Sequence, residues 1–146
     1  MINNLHNPQA QPFLEYLNKR GFNYKDIQRH SIGYVLNCPF KLHEDKIIQI
    51  RNHLVFLTYN DQGEVIYWNT RSIEQNSFMK SINAPVGEHT YAKSNVVFNL
   101  NNAKKKTIIV LTEGVPDAIM FDECGIATFG KAVEDAMKEK TILVVE

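Results

Sequence analysis

The sequence of 146 residues has two cysteines, one tryptophan and no apolar run long enough to cross a bilayer. Cys38 and Cys124 are far apart and neither belongs to a Cys-x-x-Cys motif, so we expect two buried thiols rather than a disulfide or a zinc site. The first eleven residues lack the basic segment and apolar segment of a secretion signal. These absences predict a cytoplasmic protein without a membrane segment.

The net charge is zero, but the charges are unevenly distributed along the chain. Residues 1–106 contain 13 Lys and Arg against 8 Asp and Glu, whereas residues 107–146 contain 3 against 8. A basic first part and an acidic second part suit a protein that holds a phosphate backbone with one part and metal ions with the other. Surface charge distributed by chance would give the same counts. With 44% hydrophobic residues, the chain can build one core or two small ones.

The strongest local pattern is an acidic turn between two apolar segments. The apolar run at residues 107–112 predicts a strand, and Glu113 and Gly114 follow it directly. A short helix is expected at 115–121, because a proline suits its first turn and a glycine follows its end. A second strand is expected at 126–130. This order predicts a parallel α/β unit with a carboxylate at the carboxyl end of a strand, where such sheets bind ligands.

This acidic turn resembles the opening of a Toprim domain. The matching residues are Glu113-Gly114-x-x-Asp117-Ala118 after a strand, with Gly125 about one helix later. Toprim domains occur in primases of the bacterial and phage type, topoisomerases and some nucleases. The resemblance implies that Glu113 is a catalytic or metal-site carboxylate, and that an Asp-x-Asp at the end of a later strand holds Mg²⁺. The residues alone leave open that Glu113 lies in an ordinary tight turn and that Asp117 only begins a helix.

Upstream of the turn, the pattern predicts two helices and then β-structure. Asn23 is the expected N-cap of the second helix. Residues rich in β-formers predict an antiparallel hairpin with its turn at 60–63. The expected elements are a loose lead-in at 1–11, helices at 12–20 and 24–30, a change of direction at 32–35, a loop around Pro39 at 37–43, strands at 46–50, 54–59 and 64–69, a helix at 134–140 and a strand at 141–145.

The same upstream region resembles the polymerase core of those primases, and this match selects primase among the Toprim families. The matching residues are Tyr16-Leu17-x-x-Arg20-Gly21-Phe22, Arg51, Asp61-x-Gly63, Arg71, Lys80-Ser81-Ile82-Asn83, Tyr91-x-Lys93 and Val97 to Leu100. The resemblance runs from about residue 13 to the end of the chain. It implies a groove for template DNA or nucleotide phosphates that is formed by Arg51, Arg71, Lys80, Asn83 and Lys93.

The chain departs from the family pattern at several positions. Thr70 replaces the glycine before Arg71, and Ser94 stands where a glycine is usual. Ser81 replaces a tyrosine, which removes a ring that could stack on a base. The residues alone also leave open that the arginines are only soluble residues beside the hairpin strands, and that the lysines at 104–106 are a solvated approach to a buried strand.

The resemblance implies a site for Mg²⁺, or Mn²⁺ in its place, because carboxylates hold the divalent ions that assist transfer of a nucleotide to a 3′-hydroxyl. The implied ligands are Glu113, Asp117 and Glu146, with Glu113 as the catalytic residue. Glu146 stands at or just before the position of the family's Asp-x-Asp. We therefore expect a truncated, split or remnant chain that catalyses poorly alone. The rest of the Toprim domain and a zinc ribbon would arrive in trans, and no zinc is predicted in this chain.

We predict an α/β fold in which a basic α+β subdomain at 12–103 precedes a partial parallel-sheet Toprim domain at 104–146. The predicted function is that of a primase-type nucleotidyltransferase from a phage-like replication system. Its expected partners are single-stranded template DNA, ribonucleotides and a replicative helicase. One alternative is a non-catalytic module that holds single-stranded DNA or a helicase. Another is a Toprim nuclease, against which the matches upstream of residue 100 argue.

Overall fold

The computed structural model describes residues 7–87, 91–129 and 141–145. Within these ranges, no helix is long and apolar enough to cross a membrane. The helices are α1 (Gln11–Lys19), α2 (Tyr24–Arg29), α3 (Leu100–Ala103) and α4 (Val115–Met120). The strands are β1 (Gly33–His43), β2 (Lys46–Tyr59), β3 (Val65–Ser72), β4 (Ser81–Asn83), β5 (Val97–Phe98), β6 (Ile108–Thr112), β7 (Gly125–Thr128) and β8 (Thr141–Val145).

The chain folds into two compact units. The first unit contains residues 1–56 and 68–85, and the second contains residues 57–67 and 86–146. The division between the units passes through β2 and β3, so the tip of this hairpin belongs to the second unit. The sequence domains expected at 12–103 and 104–146 stay a prediction.

Helices α1 and α2 of the first unit form where the sequence predicts them. Phe13 and Leu17 are one helical turn apart in α1 and both are fully buried, so one face of this helix packs into the core. Asn23 caps α2 in a capping box, in which its Oδ1 accepts from the amide of Asp26 at 3.0 Å and Asp26 Oδ2 accepts from the amide of Asn23 at 2.9 Å. A box of this kind stabilises a helix start by about 1 kcal/mol.

The first unit also contains a four-stranded sheet of order β1-β2-β3-β4. The prediction of a change of direction at 32–35 and a loop at 37–43 was wrong, because β1 runs through both segments as an antiparallel partner of β2. Pro39 pairs with Gln49 in this ladder. A proline is tolerated there because β1 is an edge strand, whose outward amides need no partner strand.

Strand β2 is continuous where two shorter strands were expected. Ile48 and Ile50 on β2 form a buried cluster with Ile82 of β4. Partly buried side chains, including those of Met79 and Trp68, pack against this cluster. Between the two predicted strands, Asn52 adopts a left-handed φ of 52° without ending the strand. The apolar cluster therefore connects β2 with β4, the two strands on either side of β3.

The turn predicted between β2 and β3 is confirmed. Asn60 Oδ1 accepts from the amides of Gln62 and Glu64 at 3.0 and 2.9 Å. Gly63 has a φ of 81°, a left-handed value that glycine adopts without strain. Tyr67 on β3 is fully buried, and its ring packs edge-on against Phe129 at 4.7 Å between centroids. The ring of Tyr67 is therefore part of the core.

The second unit contains a mixed four-stranded sheet of order β5-β7-β6-β8. Strand β6 is parallel to both β7 and β8, whereas β5 is antiparallel to β7. The strand, acidic turn, helix and strand expected here are confirmed, and so is the strand at 141–145. The expected helix at 134–140 lies outside the described residues. An α+β part followed by an α/β part with parallel strands is the fold class that the sequence predicts.

Helix α4 packs closely on β7 because the strand begins with a glycine. A Cβ atom on Gly125 would lie 2.7 Å from the carbonyl carbon of Ala118 in α4, closer than real side chains approach. Asn99, which is buried and has a φ of 62°, donates from Nδ2 to the carbonyl of Gly125 at 2.9 Å. These contacts set the position of α4 and hence of the turn that precedes it.

Both cysteines are free thiols. Cys38 is exposed on the edge strand β1, and Cys124 is partly buried. The prediction of two buried thiols was therefore wrong. It failed for Cys38 because residues 37–43 form a strand, in which alternate side chains point away from the core.

Candidate nucleic-acid interface and acidic turn

The acidic turn lies between β6 and α4 in the second unit. Glu113 is exposed and comes directly after β6, at the carboxyl end of a strand with a parallel neighbour on each side. The preceding residue, Thr112, is buried, and its Oγ1 lies 2.9 Å from the carbonyl of Gly114 and 3.1 Å from that of Ile126. Thr112 thus fixes the backbone on both sides of Glu113, whose side chain reaches solvent.

Asp117 is exposed in the first turn of α4, four residues after Glu113. Hard oxygen ligands of this kind suit Mg²⁺ or Mn²⁺. Among the described residues, no group of three or more His, Cys, Asp or Glu side chains is placed to hold a metal ion. Glu146, the third predicted ligand, lies outside those residues. The described residues therefore show no assembled metal site, and the roles of Glu113 and Asp117 as metal ligands stay a prediction.

The first unit brings two of the predicted basic residues together. Arg71 and Lys80 are both exposed, and they line one open pocket of about 150 Å³ with Tyr16 and Glu74. Arg71 pairs with Ser81 across the β3–β4 ladder. The carbonyl of Lys80 accepts from the amide of Ser72 at 2.8 Å, which fixes the backbone where β4 begins. The short β4 strand therefore places Lys80 beside Arg71.

Tyr16 links this pocket to helix α1. Its hydroxyl accepts from Nη1 of Arg20 at 3.2 Å, and the Arg20 guanidinium lies 5.8 Å from the centre of its ring. Burial would raise the pKa of Tyr16, but hydrogen bonds and the positive charges of Arg20 and Arg71 outweigh it and lower the pKa. The phenol is thus shared by two guanidinium groups. We call Tyr16, Arg20, Arg71 and Lys80 the basic cluster.

Arg51 lines a second, larger pocket of the first unit. This pocket has a volume of about 420 Å³ and includes Lys46, Phe78 and Glu74, of which Glu74 also lines the smaller pocket. Arg51 is exposed on β2 and faces Asn37 of the edge strand. The two predicted arginines, Arg51 and Arg71, therefore line different pockets of the first unit, and Glu74 lines both pockets.

The remaining predicted residues lie elsewhere. Asn83 is exposed on β4 and lines neither of these two pockets. Lys93 is exposed in a short 3₁₀ helix of the second unit. In the lysine run, Lys104 forms an ion pair with Asp61, and Lys106 forms one with Glu123 at 2.7 Å. These exposed pairs favour the interpretation that the run is a solvated approach to β6.

Sequence reasoning missed several residues of these pockets. Tyr16 and Arg20 carry the family pattern but were not predicted to be site residues, although their i, i+4 spacing on a helix indicates contact. Phe78 and Lys46 had no motif that identified them. They reach the Arg51 pocket through β2 and the loop between β3 and β4, and sequence spacing alone does not reveal such contacts.

Comparisons with known proteins bear on this arrangement. No protein-family model matches the chain. A DNA primase of Helicobacter pylori is 25% identical over an alignment of 151 positions, gaps included, that covers 83% of this chain and 27% of that protein. A DNA primase of Chlamydia pneumoniae is 29% identical over an alignment of 168 positions, gaps included, that covers 96% of this chain and 28% of that protein. The chain thus spans little more than a quarter of the length of the curated relatives it matches.

Solved structures show the same fold. The primase catalytic core of Escherichia coli superposes with a TM-score of 0.77 at 18% identity, and the match covers 96% of this chain and 56% of that one. A DnaG primase catalytic domain bound to single-stranded DNA superposes with a TM-score of 0.74 at 18% identity, covering 96% of this chain and 57% of that one.

The fold defined by these matches is that of a primase catalytic core, an α+β unit followed by a unit with a mixed sheet. The curated relatives and the solved structures agree in this. The predicted resemblance to the polymerase core of bacterial-type DNA primases is confirmed.

Proposed function

We propose that this chain forms part of the catalytic core of a bacterial-type DNA primase and contributes to synthesis of RNA primers on a DNA template. The observation that carries the proposal is that Arg71 and Lys80 line the same pocket in a chain with the fold of a primase core. The ligand proposed for this pocket is the backbone of single-stranded DNA. One neighbour of the same fold is a catalytic domain bound to that ligand, which supports the proposal.

The chemistry of the basic cluster suits phosphate groups. A guanidinium has five N–H donors, so Arg71 retains donors for a phosphate while it interacts with Tyr16. Lys80 adds a point charge beside it, and both side chains are exposed. Glu74 at the same pocket would repel a phosphate, but Asn52 donates from Nδ2 to its Oε1 at 2.7 Å. This hydrogen bond gives the carboxylate a partner within the first unit.

The proposed catalytic residue is Glu113. Its side chain is exposed at the end of β6, and the fixed turn around Thr112 holds its backbone in place. Glu113 and Asp117 would hold Mg²⁺ or Mn²⁺, with Glu146 as a further proposed ligand. When bound, such an ion neutralises phosphate charge and makes the attacking 3′-hydroxyl more acidic. Glu113 itself supplies a negative charge at the place where the cation must be positioned.

Other parts of the proposal concern partners and location. Lys93 and Asn83 are proposed to contact nucleic acid or ribonucleotides. A replicative helicase, the rest of a Toprim domain and a zinc ribbon are proposed partners, and the cytoplasm is the proposed location. The charge asymmetry along the chain supports separate nucleic-acid and metal-binding parts.

Single-strand binding tests the role of the basic cluster. We expect the chain to bind a fluorescently labelled single-stranded oligonucleotide in an anisotropy titration. Arg71→Ala should weaken binding and reduce the slope of log K against log salt by about 0.7 for each phosphate that the protein no longer neutralises. Lys105→Ala is the matched control, because it removes the same charge from an exposed lysine outside the pocket. Equal losses of affinity in both variants would contradict a specific role for Arg71.

Ribonucleotide incorporation tests the role of Glu113. Labelled ribonucleotides are supplied with a single-stranded template and Mg²⁺ or Mn²⁺, and wild type is compared with Glu113→Gln. We expect the wild-type chain to show weak incorporation on its own. The glutamine variant should lose this incorporation while it keeps single-strand affinity, because the substitution removes a charge with little change in shape. If wild type binds single strands but incorporates no ribonucleotide, the alternative of a non-catalytic single-strand binding module is favoured. The partial set of described carboxylates makes this the second candidate.

A further inference from the structure

Phe78 is the most exposed large apolar side chain among the described residues, with a relative exposure of 102%. It lies in the loop between β3 and β4, outside the described helices and strands. Single exposed apolar residues are common on protein surfaces and need no special explanation. The case for a function of Phe78 therefore depends on how the loop is held and on what surrounds the ring.

The backbone on both sides of Phe78 is anchored. Met79 packs against the buried isoleucine cluster of β2 and β4, and its carbonyl accepts from Ser77 Oγ at 2.9 Å. His53, a buried residue of β2, forms a further hydrogen bond with the backbone of Met79. Earlier in the loop, the amide of Ile73 donates to the carbonyl of Asn52 at 3.1 Å. The ring is thus presented to solvent from an ordered backbone, so a ligand loses little free energy in ordering it.

The ring lines the Arg51 pocket, which contains a mixed set of side chains. Lys46 and Arg51 supply two positive charges, and Met79 adds apolar surface. The carboxylate of Glu74 accepts from Asn52 Nδ2. An open pocket with cationic side chains and an exposed aromatic ring combines the two contacts that single-stranded nucleic acids make with proteins. A protein partner would require a larger apolar patch than one ring and its neighbours.

We propose that Phe78 stacks on one base of a single-stranded nucleic acid while Arg51 and Lys46 contact adjacent phosphates. This inference rests on the proposed function, since it names a base contact for the same kind of ligand. Stacking on one aromatic face tolerates any base, so the contact adds affinity and little sequence preference.

The test compares Phe78 variants of the 146-residue chain in anisotropy titrations with a labelled oligonucleotide of about 12 nucleotides, within the range that single-strand binding folds cover. We expect Phe78→Ala to weaken binding about 5- to 100-fold. The salt slope should not change, because no charge is removed. Phe78→Trp should restore the affinity. Val86→Ala is the matched control, since Val86 is also exposed and apolar but does not line the pocket.

An abasic oligonucleotide separates base stacking from phosphate binding. With it, Phe78→Ala should have no effect, because the ring has no base to contact. The tryptophan of Phe78→Trp should be quenched by the base-containing strand and not by the abasic one, measured against the signal of the native Trp68. Equal weakening on both strands would overturn the stacking proposal.

The outcomes distinguish this inference from the proposed function. If Arg71→Ala weakens binding and Phe78→Ala does not, the stacking inference is overturned while the proposed function stands. That result would assign the exposed ring to a protein partner or to no ligand. If the wild-type chain binds no oligonucleotide, the proposed single-strand role fails and the stacking inference fails with it.

Discussion

Thr70 provides a sharp test of how the first unit is held together. Its side chain is 2% exposed, and its Oγ1 lies 2.8 Å from Nδ1 of His53 and 3.2 Å from the amide of Ile82. The hydroxyl accepts from the Ile82 amide and can donate to the His53 ring. It therefore connects β2, β3 and β4 at one point. Thr70→Val keeps the shape of the side chain and removes only this hydroxyl.

The expected cost follows from the groups left behind. His53 and Ile82 are 2% and 5% exposed, so water does not readily replace the missing oxygen. A buried polar group without a partner costs about 1–3 kcal/mol. With two such groups and some relaxation, we expect Thr70→Val to lose about 2–4 kcal/mol of the free energy of unfolding. This is a large fraction of the roughly 5–15 kcal/mol that stabilises an ordinary domain.

Urea denaturation followed by circular dichroism measures this loss. Thr70→Ser is the matched control, because it keeps the hydroxyl and removes one methyl group, at a cost of about 1 kcal/mol. We expect the order of stability to be wild type, Thr70→Ser, Thr70→Val. If the valine variant equals the serine variant, or lies within about 1 kcal/mol of wild type, the hydroxyl does not connect the strands as argued.

Three further predictions concern the fold. Gly125→Ala would force a methyl group against Ala118, so we expect the free energy of unfolding to fall by about 3 kcal/mol or more. Gly114→Ala is the control and should cost little, because the nearest atom to its new methyl group would lie at 3.7 Å. Equal urea midpoints for the two variants would refute this prediction. Burial lowers the pKa of His53 in the folded chain below 6.5, its ordinary value. The unfolded chain therefore binds a proton more readily at this residue, so the free energy of unfolding should fall as the pH drops below 6.5. Denaturation at about pH 7.5 and about pH 5.5 measures this, and an unchanged pH dependence in His53→Gln would contradict it. Tyr67→Phe removes a buried hydroxyl that has no hydrogen-bond partner among the described residues, so unfolding should cost the same or about 1 kcal/mol more; a clear loss of stability would show that the hydroxyl has a partner.

The elements with strong local signals were predicted well. Helix α2 has a capping box within four residues, and the acidic turn follows an apolar run and precedes a proline-led helix. Such signals act over a few bonds, so they do not depend on distant parts of the chain. The position of Glu113 at the end of β6 was predictable for the same reason.

The error at residues 32–43 has a long-range cause. Pro39 disfavours a strand in the interior of a sheet, and this local argument predicted a loop. The segment is a strand because β2 offers it a partner and because no other described strand lies on its far side. Edge position is a property of the whole sheet, so the residues around Pro39 do not reveal it.

The candidate site shows the same division. The basic residues were identified from their order along the chain, but their grouping depends on strand pairing. Register places Arg71 opposite Ser81 and so beside Lys80, whereas Arg51 lines the other pocket. Tyr16 enters the cluster from α1, more than fifty residues away in the chain.

The residues alone specified where the helices and turns with local signals begin and which charged side chains are exposed. Capping, turn and alternation preferences involve only residues close together in the chain, so they can be recognised without the tertiary structure. The packed structure was needed to know that Arg71 and Lys80 share a pocket, that Thr70 joins three strands, and that Phe78 and Arg51 line the same pocket. These relations depend on strand register and on packing between segments far apart in the chain. The packing free energy is the sum of many weak contacts, so no short stretch of sequence reveals it.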